Sequence, residues 1–288
     1  MPETIGNPLS WTARLLSRSS SHLAASAREL GGDADLKPQV QTLEMRDIRD
    51  ALAAGWEDFK TSRSDVMFIV LVYPVIGLVL FGLGLRLSMI PLLFPLIAGF
   101  AILGPIAAVG LYEISRRLEK GHKPRWSDAF GVIESPGFGA ILVLGLYLAA
   151  LFLVWMLVAA QIYGATLGNA PPESLSSFIA EVTGTGAGWT MVVIGCAVGF
   201  VFALAALAIS VVSFPMLLDR HVGVPVAVAT SVQVLRQNPR VVLAWGAVVT
   251  AGLIVGVIPL LLGLIVTLPL LGHATWHFYR RAVRFTKV

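Results

Sequence analysis

The chain is short of charge. Only 13% of its 288 residues are Asp, Glu, Lys or Arg, against 56% that are apolar, and the mean hydropathy is +0.80. Soluble domains carry about 25% charged residues, and a soluble fold made from this composition would expose the large apolar patches that soluble monomers avoid. The shortage excludes a soluble globular protein and implies an integral membrane one. Cysteine is scarcer still. Cys196 stands alone, which excludes an internal disulfide, a cysteine-based zinc site and an iron–sulfur cluster held within one chain. Catalytic strings are missing as well: there is no GxGxxG, P-loop, GxSxG or HExxH pattern, so no enzyme chemistry is indicated by spacing.

Charge is also missing from the middle of the apolar runs. Asp65 precedes the first and Glu113 closes the second, and no Lys or Arg lies deep in any of them. Coupled transporters and pumps usually need a buried ionisable group as the coupling element. Its absence argues against that class, while ion sites made of backbone carbonyls stay open.

What is present is long apolar sequence. The stretches are 66–85, 89–112, 139–163, 189–217 and a 35-residue run from Val241 to Thr275. A span needs about 20 apolar residues to cross about 30 Å of hydrocarbon. The last run is too long for one helix at ordinary tilt, and Pro259 near its middle divides it into spans over about 241–257 and 260–279. The expected fold class is all-α and polytopic, with six transmembrane helices as three hairpins.

The polar segments orient this bundle. Of 21 Lys and Arg, 20 fall before span 1, between spans 2 and 3, between spans 4 and 5, or after span 6, and only Arg86 falls on the other side. The positive-inside rule then places both termini in the cytoplasm of a bacterial inner membrane. This topology accounts for the basic face without nucleic acid. Residues 1–42 read as a polar, disordered cytoplasmic tail with no apolar signal-peptide core near Met1. Between Trp11 and Arg28 that tail is basic enough to rest on anionic lipid. Residues 43–64 read as an amphipathic interfacial helix through Met45, Ile48, Leu52, Trp56 and Phe59, and 281–288 as a basic tail.

Short amphipathic segments also precede the third and fifth spans, at Pro124–Ile133 and Pro225–Leu235. The simplest account is three copies of surface helix plus transmembrane hairpin. Copies in one orientation differ from the inverted repeats common in secondary transporters.

Lipid tails remove the hydrophobic drive between helices, so close packing must supply it. Gly195/Gly199 and Gly252/Gly256 are GxxxG pairs and Gly145/Ala149 is a small-xxx-small pair. They are expected to pack the bundle. Prolines 74, 91, 95, 105, 215 and 269 lie in or near spans and kink them, which leaves room for a cavity.

Among the histidines His22, His122, His221, His273 and His277, only the last two share a helix face near one membrane surface. Such a pair can ligate a metal, or haem through one member. Two ligands are too few alone, and no carboxylate or cysteine adjoins them in sequence. With Trp276, Tyr279 and Arg280-Arg281 they have the composition of an interfacial anchor. Glu113 is expected to pair locally with Arg116 and Arg117; Asp128 and Glu134 are expected to cap or to face solvent. A ligand-binding role for Glu113 stays open, and no cofactor is expected.

Several strings have a family character. Gly104-Pro105, Gly110–Glu119 (GLYEISRRLE), Ser213–Arg220 (SFPMLLDR) and Pro269–Arg280 (PLLGHATWHFYR) make residues 43–285 resemble a family of uncharacterised bacterial integral membrane proteins, a domain of unknown function. Some members carry a cytochrome c oxidase subunit I label. A haem–copper catalytic subunit needs about twelve spans and six internal histidine ligands, so this chain is not one. The resemblance leaves an accessory or assembly role beside a respiratory complex.

The expected function is therefore a non-enzymatic inner-membrane protein packed against membrane lipids or another membrane protein. Two alternatives stand: a transporter or channel for a small apolar or zwitterionic solute, and a metal- or haem-binding redox protein through His273 and His277.

Overall fold

Apolar side chains repeated without polar interruption make long helices, because the backbone must bond within itself where water is excluded. The structure, a computed structural model, describes residues 36–70, 75, 78–79, 82, 87–122, 125–135, 137–259 and 261–287. Four helical stretches there are long and apolar enough to cross a membrane: Met89–Glu119, Phe138–Thr166, Gly186–Asp219 and Pro239–Val257. The protein is an integral membrane protein made of apolar helices. Most of the span expected at 66–85 lies outside the described residues. The segment expected at 260–279 is helical from Leu264, but it is not among the four.

The elements run as follows. Helix α1 (Met45–Val70) carries the polar sequence up to the apolar zone. Short pieces follow from Leu87: a 3-10 turn, α2 (Leu93–Phe100), a second 3-10 turn, α3 (Gly104–Ala107) and α4 (Val109–Glu119). Proline at 91, 95 and 105 within this stretch explains its segmentation. A 3-10 segment over Trp126–Glu134 leads into α5 (Phe138–Thr166), 29 residues and about 43 Å long. Helix α6 (Leu175–Gly184) starts where Ser174 Oγ accepts from the Ser177 amide, and α7 (Gly186–Ser210) where Thr185 Oγ1 accepts from the Gly188 amide. Then come α8 (Ser213–Asp219), α9 (Val224–Gln237), α10 (Pro239–Val257) and α11 (Leu264–Ala282). The long C-terminal apolar run breaks between α10 and α11, with Pro259 in the break and Leu261 at φ 68°. The three segments expected as copies of one surface helix take different forms here: a 26-residue helix, a 3-10 segment and a 14-residue helix.

One correction concerns the ends. Residues 36–40 and 283–287, read from sequence as parts of polar and basic tails, pair as an antiparallel two-stranded sheet, β1 (Leu36–Val40) with β2 (Val283–Lys287). The reason is alternation. Val283 and Phe285 turn inward while Arg284 and Thr286 face out. Buried Asn238, between α9 and α10, ties the same corner: its Oδ1 accepts from the Leu43 amide at 2.8 Å and its Nδ2 donates to the Gln41 carbonyl at 3.0 Å.

Helix α1 packs antiparallel along α11. Its buried seam is Ile48, Ala51, Gly55, Phe59 and Ser62, at helical spacing. Of the apolar set expected from sequence, Ile48 and Phe59 belong to this seam, whereas Met45 and Trp56 are exposed. Gly55 makes the close approach possible, because a Cβ there would stand 2.5 Å from the Ala274 backbone nitrogen.

Candidate functional site

Packing α1, α4 and α11 together brings polar residues of three distant segments to one level. His273 is fully buried, and its Nδ1 lies 2.8 Å from Ser115 Oγ on α4. Ser115 Oγ donates to Asp58 Oδ2 on α1 at 2.6 Å, so its single proton is used and His273 Nδ1–H must be the donor to Ser115. Asp58 Oδ2 also meets His277 Nε2 at 2.8 Å. Ser62 Oγ donates to the Asp58 carbonyl at 2.7 Å and stands 3.5 Å from His273 Nε2. The result is a continuous chain, His273 to Ser115 to Asp58 to His277.

The order of groups decides what this chain can do. In a nucleophilic triad the imidazole sits between hydroxyl and carboxylate and takes the hydroxyl proton. Here the hydroxyl sits between imidazole and carboxylate, and its proton points at Asp58, so the geometry fixes helices rather than activating Ser115. Nor do the two imidazoles converge: His273 Nδ1 and His277 Nε2 are each engaged within the chain of bonds. Among the described residues no group of three or more His, Cys, Asp or Glu side chains is arranged to hold a metal ion.

The next turn of α11 extends the network. Trp276 Nε1 donates to Glu119 Oε2 at 3.1 Å, and Arg280 donates to Glu119 Oε1 at 3.0 Å. Tyr279 OH donates to Asp219 Oδ2 at 2.8 Å, and Arg280 Nη1 lies 3.5 Å from the same oxygen. Burial works to lower the Arg280 pKa, but Glu119 and Asp219 outweigh it and the guanidinium ends higher than usual. On the same turn, Trp245 of α10 stacks on Phe278 at 4.9 Å and 10°.

The site residues expected from sequence separate into two groups. His273, Trp276 and Tyr279 are buried inside the protein and His277 is partly so; they form an internal cap, because α1 lies over His273 and His277 while Trp276 and Tyr279 bond α4 and α8. Glu113 is fully buried on α4, bonded by Arg116 Nε and Nη2 at 2.6 and 2.8 Å and by Arg117 Nε at 2.7 Å, and it does not join the His273 chain. Arg117 Nη1 reaches Asp128 at 2.8 Å. Sequence reasoning missed Asp58, Ser62 and Ser115. The usable signal was the row Ala51, Gly55, Ser62 on α1, small residues at helical spacing inside an otherwise charged helix.

The small-residue positions also differ among themselves. A Cβ at Gly145 would overlap Ile106, at Gly199 it would stand 3.0 Å from Trp155, at Gly252 3.0 Å from Leu271, and at Gly256 it would overlap Thr267. Gly195 has open space beside it and lines an apolar groove of about 390 Å³ among α2, α5, α6 and α7, walled by Phe94, Trp155, Tyr163, Phe178 and Met191. Ala149 is half-buried on α5.

Residues 93–219 match the model of a family described as "Predicted integral membrane protein (DUF2189)", an uncharacterised membrane family. The match spans α2 to the end of α8. It takes in Glu113, Ser115, Glu119 and Asp219 and leaves Asp58, His273 and His277 outside. No curated protein and no solved structure matches the chain.

Proposed function

We propose that this integral membrane protein is a non-enzymatic accessory, assembly or scaffold component beside a larger membrane complex, and that a respiratory complex is the first to examine. The observation that carries the reading is the cap. Its buried ionisable and polar groups bond one another across α1, α4 and α11, which builds a fixed platform rather than a reactive centre. The large apolar side chains of α5 and α7, such as Leu146, Leu157, Val193 and Phe200, point outward and give a surface for lipid or for another membrane protein. In this reading the chain sits in a bacterial inner membrane with both termini in the cytoplasm, supported by the one-sided placement of 20 of its 21 basic residues. Two further crossings, at 66–85 and after the Pro259 break, complete three hairpins.

The test is affinity purification from native membranes with mass spectrometry of the co-purifying proteins, combined with deletion of the gene. A respiratory complex that co-purifies and falls in level on deletion supports the reading. A partner-free monomer with respiratory complexes at normal levels removes it.

A second reading, a carrier of a small apolar or zwitterionic solute, is favoured by the groove beside Trp155. Uptake by proteoliposomes decides it, and Gly195→Phe, which fills the groove, is expected to abolish any uptake. The hydrogen-bonded imidazoles of His273 and His277 do not favour the redox reading; its signature is a Soret band or bound metal lost in the His273→Ala/His277→Ala double variant.

A further inference from the structure

Three candidate spans end at one place. Met89–Glu119 finishes there with Arg116 and Arg117, Gly186–Asp219 finishes there with Asp219, and Phe138–Thr166 begins there just after Gly137. Between these ends lies a pocket of about 410 Å³ that also takes in Ser135, Arg220 and His221. Because span ends sit at the level of lipid headgroups, this pocket opens where phosphate esters are concentrated.

Its charges are layered. The two lining carboxylates are at the back, Glu113 at 1% and Asp219 at 11% exposed, whereas Arg116, Arg117 and Arg220 stand forward at 23%, 32% and 44%. Each carboxylate already has partners: Glu113 is held by Arg116 and Arg117, and Asp219 by Tyr279, Arg280 and, at 3.4 Å, Nε of Arg220. Asp128, outside the lining, takes Nη1 of Arg117. Each guanidinium carries five donors, so holding a carboxylate behind does not exhaust what it presents in front. Two glycines shape the walls. A Cβ at Gly131 would overlap Arg117 Nη2, and one at Gly137 would overlap the Leu217 carbonyl.

We propose that this pocket binds the phosphate group of an acidic headgroup, held by Arg116, Arg117 and Arg220 with Ser135 and His221 at its edge. The proposal stands apart from the accessory reading, since it needs no protein partner. A membrane lipid and a free phosphate ester share this chemistry, and the experiment separates them.

The full chain, purified in mild detergent, is titrated with phosphatidylglycerol and with phosphatidylcholine and read by native mass spectrometry. The expected result is preferential retention of phosphatidylglycerol. Arg220→Gln weakens it about fivefold, as one surface arginine contributes toward an anionic lipid. Arg236→Gln, which removes an exposed arginine on α9 away from the pocket, leaves it unchanged. Gly131→Ala crowds Arg117 without altering charge and weakens the same lipid, which keeps the test decisive if Arg220→Gln unfolds. Competition with inorganic phosphate assigns the source: displacement of the lipid supports a site that also takes free phosphate esters, and retention supports a lipid-only site. Equal retention of the two lipids, or an Arg220→Gln effect no larger than that of Arg236→Gln in folded protein, overturns the proposal.

Discussion

Helices α5 and α7 and the cap made by α1, α4 and α11 follow opposite rules. On α5 and α7 the large apolar residues face outward, Leu157 at 66% exposure, and the helices approach through small residues, as at Gly199 against Trp155. In the cap the large residues and the polar ones are both inside: Trp276, Tyr279, His273 and Glu113 are fully buried. Lipid supplies no hydrophobic drive between helices, so α5 and α7 meet mainly through fit, while Trp155 Nε1 of α5 donates to the Pro95 carbonyl of α2 at 2.9 Å. At the end of the bundle, directional bonds such as Ser115 to Asp58 add to fit, and each has a partner that must be in register. A mutation that changes volume or removes a bond should therefore be felt in the cap and tolerated on the outward face of the spans.

The largest expected effect comes from joining both devices. Gly55→Leu drives a side chain into the Ala274 backbone, which cannot rotate away, and should cost about 3 kcal/mol in a detergent-unfolding titration. A loss below about 0.5 kcal/mol would show that α1 and α11 do not pack this closely. Asp58→Ala strips Ser115 and His277 of a common acceptor and should cost about 2 kcal/mol, with the midpoint of thermal unfolding lowered to match. Gly256→Ala should cost about 1 kcal/mol, because Thr267 and Leu264 must give way, while Gly195→Ala beside open space should be near neutral. That contrast separates two glycines equivalent as GxxxG members. The smallest effect is expected for Leu157→Ala on the outward face of α5, within about 0.5 kcal/mol in the same titration.

The same division explains what could be read from sequence. Integral-membrane character follows from composition, and the apolar runs at 89–112, 139–163, 189–217 and 241–257 fall within the four long helices, because hydropathy is a local property. The cap is not local. Asp58 is 57 residues from Ser115 and 219 from His277, so the carboxylate missing beside the histidines in sequence is supplied by a helix at the other end of the chain. The pattern His273-x-x-Trp276-His277-x-Tyr279 suits an interfacial belt equally well until a second helix covers it. The strands at 36–40 and 283–287 escaped for the same reason, since each is too short to be distinguished from a tail without its partner.

Asp58 and Ser115 act as one bonded unit that holds α1 to α4 and α11. A double-mutant cycle on Asp58→Ala and Ser115→Ala, measured by reversible unfolding in detergent, tests it most directly. A coupling of about 1 kcal/mol or more is expected for a bonded pair. Additivity of the two losses within about 0.3 kcal/mol would contradict it.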